Sequence, residues 1–319
     1  MTLEWQEDAR TPVPEGHVVL RPLLVGVCGT DLEMVRHSSA RLTLPSVLGH
    51  EWVAEVVADP RGELDVGAVV VGSNQTIVDG ISVEHGFELD GALQTRFTLP
   101  PDNVLLAPAG VPLHDLVLVE PAAVVAHGLA RMPTEVEQVM VVGDGPIGLM
   151  SALAMQAKGA AVTLVGLSES RLAHAERLGL STMPAADAER LASTEEPSTP
   201  VVIEAGGTGS AVDLALMAVA PGGTVLVLGG HEGSRISRFG LVVQKNLSVV
   251  GVNTGQDQVS AALELITRGV VTAAAVGATT VGYQDAAEAL IELARGDRSD
   301  IKLVVDLRAL GSTQDWDGI

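Results

Sequence analysis

The sequence predicts an α/β chain in two units: a β-rich unit at the start, and a doubly wound parallel sheet after it. Three observations carry this prediction. Up to about residue 125 the β-branched runs are short and bounded by Gly and Pro, as in EGHVVLRPLLVGVCG, GHEWVAEVVADP and DVGAVVVGSN. From residue 138 strand-like and helix-like segments alternate, the pattern of right-handed crossovers in a parallel sheet. The chain closes on the amphipathic helix AAEALIELARG and the strand IKLVVDL, which is expected to return to the first unit. The expected boundaries are 1–128, completed by 276–319, for the first unit and 129–275 for the second.

Within the first unit, LDGALQTRFTLP reads as a hairpin-like piece, because Asp90-Gly91 is a turn signal. In the second, QVMVVG reads as a buried strand and PIGLMSALAMQAKG as a helix. AVTLVG is then a strand, SRLAHAERLG a helix, TPVVIEAGG a strand and SAVDLALMAVAPGG a helix, before the strands TVLVLGG and LSVVGV. STEEPSTP (193–200) is expected to be a solvated loop and the tail STQDWDGI to be mobile.

Composition narrows the function. A chain of 319 residues is long enough for two domains with sizeable cores. Hydrophobic residues make up 47 %, yet no apolar run approaches the roughly 18 residues of a membrane span. The start, MTLEWQEDAR, is acidic and polar, unlike a signal peptide. A single cysteine excludes an intrachain disulfide and fits a reducing, cytoplasmic setting. The formal charge of -21 argues against nucleic acid, which needs clustered Lys and Arg, and leaves a small molecule as the expected partner.

Gly143-Asp144-Gly145-Pro146-Ile147-Gly148 closes the strand QVMVV and opens a helix, the context that makes a GxGxxG run a dinucleotide site. Gly143 permits the tight turn, Gly145 lets a pyrophosphate approach the backbone, and Gly148 lets helix and strand pack closely. The N–H groups that open the helix, around Pro146 and Ile147, face the phosphates. At the end of the second strand an acid would accept from the ribose hydroxyl of NAD. Here Gly166 holds that place, with Ser168 and Arg171 following, so NADP is expected over NAD. Glu169 reverses that inference if it turns inward.

The lone cysteine, Cys28, stands in VCGTDLE; Gly49-His50-Glu51 begins a later strand, and Glu120 lies in VEP. A thiolate, an imidazole and carboxylates suit Zn²⁺ with a position left open. Spacing this wide leaves a core cysteine and a capping histidine as the other reading.

VCGTDLE, LGHEWVAEV, the VEP segment and VVGDGPIGLM together resemble the zinc-dependent medium-chain dehydrogenase/reductase family, the alcohol and polyol dehydrogenases, over nearly the whole chain. The resemblance implies a GroES-like catalytic domain, a Rossmann domain and an active site in the cleft between them. It implies Cys28 and His50 as zinc ligands, Glu51 as a ligand or a group just behind them, and Glu120 as the remaining protein ligand. One catalytic zinc per chain is expected. Thr30 corresponds to the hydroxyl that contacts the substrate and relays its proton, and Asp31 to the structural or orienting acid beside it. The region SNQTIVDGISVEHGFELDG has no cysteine for the structural zinc of many relatives. Glu33 replaces a histidine common in alcohol dehydrogenases, and CGTD-x-E is closer to the glucose dehydrogenase branch. By the same likeness Asn74, Glu84 and Asn253 line the substrate pocket, and Gly229 and Asn253 join the cofactor residues. His85 and His127 are left outside catalysis, His127 in a packing or orienting role.

The function implied is interconversion of a secondary alcohol and a ketone, or a lactol and a lactone, on a sugar, polyol or cyclitol. Such a substrate needs several convergent donors and acceptors. The alternatives are a zinc-free quinone or enone reductase on the same fold, or a non-catalytic dinucleotide-binding protein. The apolar edge of LSVVGV, where the family pairs two sheets, predicts a homodimer or homotetramer.

Overall fold

The computed structural model describes residues 3, 13–36, 46–78, 80–133, 135–194, 196–230 and 235–310. The chain divides into two compact units, Met1–Glu120 with Ala278–Ile319, and Pro121–Gly277. The acidic start and the tail beyond residue 310 lie outside the described residues.

The chain opens with β1 (Val18–Val27), α1 (Gly29–Val35), β2 (Glu51–Ala58), β3 (Val69–Gly72), β4 (Gln75–Val78), β5 (Ile81–Glu84), β6 (Phe97–Leu99), β7 (Val104–Leu106) and α2 (Leu113–Leu116). Next come α3 (Val119–Ala130), β8 (Gln138–Val142), α4 (Pro146–Ala157), β9 (Ala161–Gly166), α5 (Glu169–Arg177), β10 (Ser181–Pro184) and α6 (Ala185–Thr194). They are followed by β11 (Thr199–Glu204), α7 (Gly209–Ala218), β12 (Val219–Val227), α8 (Gly240–Gln244), β13 (Ser248–Gly251), α9 (Val259–Thr267) and α10 (Ala273–Val276). The chain closes on β14 (Ala278–Gly282), α11 (Tyr283–Arg295) and β15 (Lys302–Asp306).

In the first unit the sheet runs β14-β15-β1-β2-β3-β7, with β6 on β1 and β4-β5 as a separate hairpin. β1 lies between β2 and β15 and pairs antiparallel with both, so its apolar run is covered on either side. Val18, Leu20, Val25, Met34, Trp52, Val56, Leu303 and Val305 form the core. Ala286, Ala289, Leu290 and Ala294 fall on one face of α11 and bury it against that core. β15 therefore joins the sheet of the first unit beside β1.

Asp90-Gly91 makes no hairpin. Asp90 Oδ1 accepts from the Val47 amide, and a Cβ on Gly91 would stand 2.4 Å from the Gly49 carbonyl oxygen. Only β6 of the segment forms a strand, and it pairs with β1.

The second unit is a six-stranded parallel sheet of order β10-β9-β8-β11-β12-β13. Its central strands are near-continuous Val, Ile and Leu runs because helices cover both faces of such a sheet. β10 and α6 went unread in the sequence. STMP is short with no fully buried residue, and Ala188 is the one residue of α6 buried among those described. The helix expected through SAVDLALMAVAPGG stops at Ala218, before Pro221 and Gly222. Lys245 Nζ donates to the carbonyls of Leu216, Met217 and Val219 at 3.0, 2.7 and 2.9 Å, closing off the last turn of α7. No helix among the described residues is long and apolar enough to cross a membrane.

Replacing Lys245 by Met removes a charged donor from three carbonyls. The expected loss is about 2 kcal/mol of stability, read as a lower urea midpoint; an unchanged midpoint would discard the capping role.

Candidate metal centre and dinucleotide site

The metal-ligating candidates meet in the first unit. Cys28 follows β1 directly and stands at the N-cap of α1, while His50 and Glu51 lead into β2, the strand paired with β1. Asp31, in the first turn of α1, ties the two segments together. Its Oδ2 accepts from the Cys28 amide at 2.8 Å and its Oδ1 from the Gly49 amide at 3.3 Å. Oδ1 also lies 3.6 Å from His50 Nδ1. Burial opposes ionisation of Asp31, but His50, the Cys28 N–H and Lys302 outweigh it and hold the carboxyl below its usual range. Burial likewise opposes a charged His50, and Asp31 and Cys28 outweigh it to raise the ring well above its ordinary value.

One donor atom each from Cys28, His50 and Glu51 lies within 4.8 Å of the others. Sulfur, imidazole nitrogen and carboxylate oxygen are a set that fits zinc. Asp31 faces the Nδ1 side of the His50 ring as a charge, not as a hydrogen-bond acceptor. Glu120, at the start of α3, lies outside that tight group but within its field. Burial pushes its carboxyl up to about 7; Glu51 and Glu84 add to this, while His50 and Lys302 oppose it. Thr30 Oγ1 is 3.7 Å from Cys28 Sγ.

Lys302, on β15, went unnoticed in the sequence. Its ammonium pairs with Glu51 Oε2, and Nζ also donates to the Val27 carbonyl at 3.0 Å. Both side chains are buried, at 2 % and 1 % exposure. Burial disfavours the ammonium, but Glu51, Cys28 and Asp31 outweigh it and raise its pKa. Glu51 passes over Gly26, where a Cβ would stand 2.1 Å from Oε2, so β1 needs a glycine at this point. A lone cation inside an apolar strand was the available signal.

Asn74, expected in the substrate pocket, is buried with both ends of its carboxamide engaged. Nδ2 donates to the His50 carbonyl, and Oδ1 accepts from Trp52 Nε1 at 2.7 Å. The geometry gives it a bracing position behind His50. Glu84 ends β5 and accepts from Gln75 Nε2 at 3.1 Å. His85 Nδ1 lies 3.1 Å from the Asp90 carbonyl as its donor.

In the second unit Gly143 has φ +128°, and a Cβ there would stand 2.6 Å from the Ala205 carbonyl carbon. A Cβ on Gly148 would stand 1.9 Å from the Gly143 carbonyl oxygen, so α4 packs directly on the turn. Gly145 caps α4 with nothing within 4 Å of its Cβ position, an open approach to the backbone N–H groups. Pro146, in the first turn of α4, needs no donor, and Ile147 follows it. Gly229, past β12, packs on the backbone of Gly207, and Asn253 is exposed past β13. His127 Nδ1 is held to the Thr254 carbonyl.

Gly166 ends β9, but the space its missing side chain leaves is filled by Asp144. A Cβ on Gly166 would stand 2.5 Å from Asp144 Oδ2. That oxygen accepts from the amides of Leu167 and Ser168, both at 2.8 Å. Arg171, on α5, brings NH1 to 3.7 Å from Asp144 Oδ1, and Ser168 Oγ lies 3.0 Å from Ser170 Oγ.

Breaking the buried pair by Lys302→Met is expected to cost about 3–5 kcal/mol, because Glu51 is left charged and unpaired. The double variant Glu51→Leu/Lys302→Met is expected to recover most of it. Thermal unfolding of the two variants beside the wild type checks this; a wild-type Tm for Lys302→Met would discard the pairing.

Comparison with known proteins identifies the family. Residues 14–109 match the alcohol dehydrogenase GroES-like domain, and residues 146–268 match the zinc-binding dehydrogenase domain. The glucose 1-dehydrogenase of Thermoproteus tenax is 33 % identical over 277 residues, 75 % of this chain and 77 % of that one. The L-galactonate-5-dehydrogenase of Escherichia coli is 30 % identical over 254 residues, 72 % and 74 % of the two chains. The glucose dehydrogenase of Haloferax mediterranei, solved with NADP, Zn and gluconolactone, shares the fold at TM-score 0.79 and 20 % identity, over 94 % of this chain and 95 % of that chain. With the GroES-like and Rossmann halves both matched, the chain belongs to the zinc-type medium-chain alcohol dehydrogenase family.

Proposed function

We propose that the chain is a zinc-dependent, NAD(P)-linked dehydrogenase that interconverts a secondary alcohol and a ketone, or a lactol and a lactone, on a polyhydroxylated small molecule. The observation that carries this is the Cys28, His50 and Glu51 group, with donor atoms within 4.8 Å of one another and the Thr30 hydroxyl beside Cys28. Relatives named for glucose and for L-galactonate support the substrate class.

Bound there, zinc would supply a Lewis acid that acidifies an alcohol hydroxyl, and the nicotinamide would take the hydride. Cys28 and His50 would hold the metal, with Glu51 and Glu120 as the carboxylates available to it. Thr30 takes the hydroxyl proton and passes it outward. Asp31 holds the Cys28 and Gly49 backbones by hydrogen bonds and faces the His50 ring, so the two segments are set side by side before any metal arrives. Lys302 holds Glu51 by charge and limits how far that carboxylate can swing.

Assembly follows from the sheet edge. β13 pairs with β12 on one side, and Val249 is 40 % exposed along it. Phe239 and Val243 are also exposed. We infer that two second-unit sheets pair through β13, giving a homodimer or a homotetramer built from it.

Elemental analysis of freshly purified protein is expected to give about one zinc per chain, the content of a catalytic site alone. Cys28→Ser and His50→Ala are expected to lose the zinc and at least about a hundredfold in turnover of sugars and polyols, with nucleotide binding kept. Full activity in either variant would discard the mechanism. Light scattering is expected to show a dimer or larger; a monomer at micromolar concentration would discard the sheet pairing.

A further inference from the structure

We propose that Asp144 selects the dinucleotide and that the chain takes NAD in preference to NADP. The inference rests on the dehydrogenase reading only for its dinucleotide site, since neither the metal nor the alcohol enters it.

The adenosine ribose of a dinucleotide lies past the C-terminal end of the second strand of such a sheet. That strand is β9, and its last residue is Gly166. Gly166, Ser168 and Arg171 suggested a place without an acid and with groups for a 2′-phosphate. The structure gives all three another relation. Asp144 reaches from the glycine-rich turn into the space over Gly166, which no residue with a Cβ would leave open. The acid missing from the strand is supplied by the neighbouring loop.

Two consequences bear on a 2′-phosphate. The amides of Leu167 and Ser168, the first donors past β9, are already engaged by Asp144 Oδ2. Arg171 NH1 faces Asp144 Oδ1, so its charge answers a carboxylate that is in place before any nucleotide arrives. A phosphate dianion would have to compete for both amides and stand against a like charge that is only 14 % exposed. A ribose 2′-hydroxyl meets the opposite situation, since it can donate to the same carboxylate.

Fluorescence titration of the full-length protein with NADH and NADPH tests this directly, and needs neither substrate nor metal. The wild type is expected to bind NADH at least about tenfold more tightly than NADPH. Asp144→Asn, which keeps the shape and removes the charge, is expected to bring the two within about threefold, mainly by tightening NADPH. Arg171→Ala is expected to leave NADPH no weaker relative to NADH, whereas an arginine serving the 2′-phosphate would lose NADPH selectively. Adenosine 5′-monophosphate and adenosine 2′,5′-bisphosphate, as competitors confined to this end of the site, are expected to show the same order. Circular dichroism shows that each variant is folded. Tighter NADPH binding by the wild type overturns the proposal, as does an unchanged ratio in Asp144→Asn. Equal weakening of both nucleotides overturns it too, because Asp144 would then only brace its loop. Failure of the wild type to bind either nucleotide removes the dehydrogenase reading itself, and the proposal with it.

Discussion

The candidate metal centre depends on one buried carboxylate. Asp31 accepts from the backbone of Cys28 on one side and of Gly49 on the other, and faces the ring of His50. A carboxylate this deep is tolerated only with several donors, and here those donors are in the segments that carry Cys28 and His50. The same hydrogen bonds that satisfy the acid set the thiol and the imidazole side by side. The charges around it balance in the same way. Cys28, Asp31, Glu51 and Glu120 crowd a small volume with negative or potentially negative groups, against His50 and Lys302. In this cluster the acidic side chains outnumber the basic ones.

The second unit places a carboxylate by related means. At Gly26 and at Gly166 alike, a missing Cβ lets an acid cross a strand and reach donors it could not otherwise touch. Glu51 crosses β1 to Lys302, and Asp144 crosses the end of β9 to the Leu167 and Ser168 amides. Both glycines stand where conformational freedom is not required, since neither has a positive φ; what each supplies is room.

The sequence made the architecture legible because its periodicities are clean: glycine-bounded β runs first, then strand–helix alternation. Cys28, His50 and the glycine turn could be read because their chemistry belongs to residue types and short motifs. Lys302 could not, since its meaning lies in Glu51, a residue far away along the chain. Asn74 was expected in the pocket by family likeness, and its carboxamide also bridges Trp52 and the His50 carbonyl, a relation created only by the fold. Asp144 stood in the best-recognised motif of the chain, at a position the motif leaves unspecified. Its reach across Gly166 follows from the spacing of two strands.

The return of the chain to the first unit after Gly277 orders events during synthesis. The ribosome delivers Cys28, Asp31, His50 and Glu51 before the whole parallel-sheet unit, and β15 only after it. Until β15 pairs with β1, the Glu51 carboxylate lacks its buried ammonium and β1 lacks a neighbour on that side. The inserted unit, Pro121–Gly277, is continuous and can fold while the rest of the chain is still being made. The first unit is thus begun before the inserted unit and completed after it, and a chain interrupted before β15 would carry Cys28, His50 and Glu51 without the ammonium that pairs with Glu51.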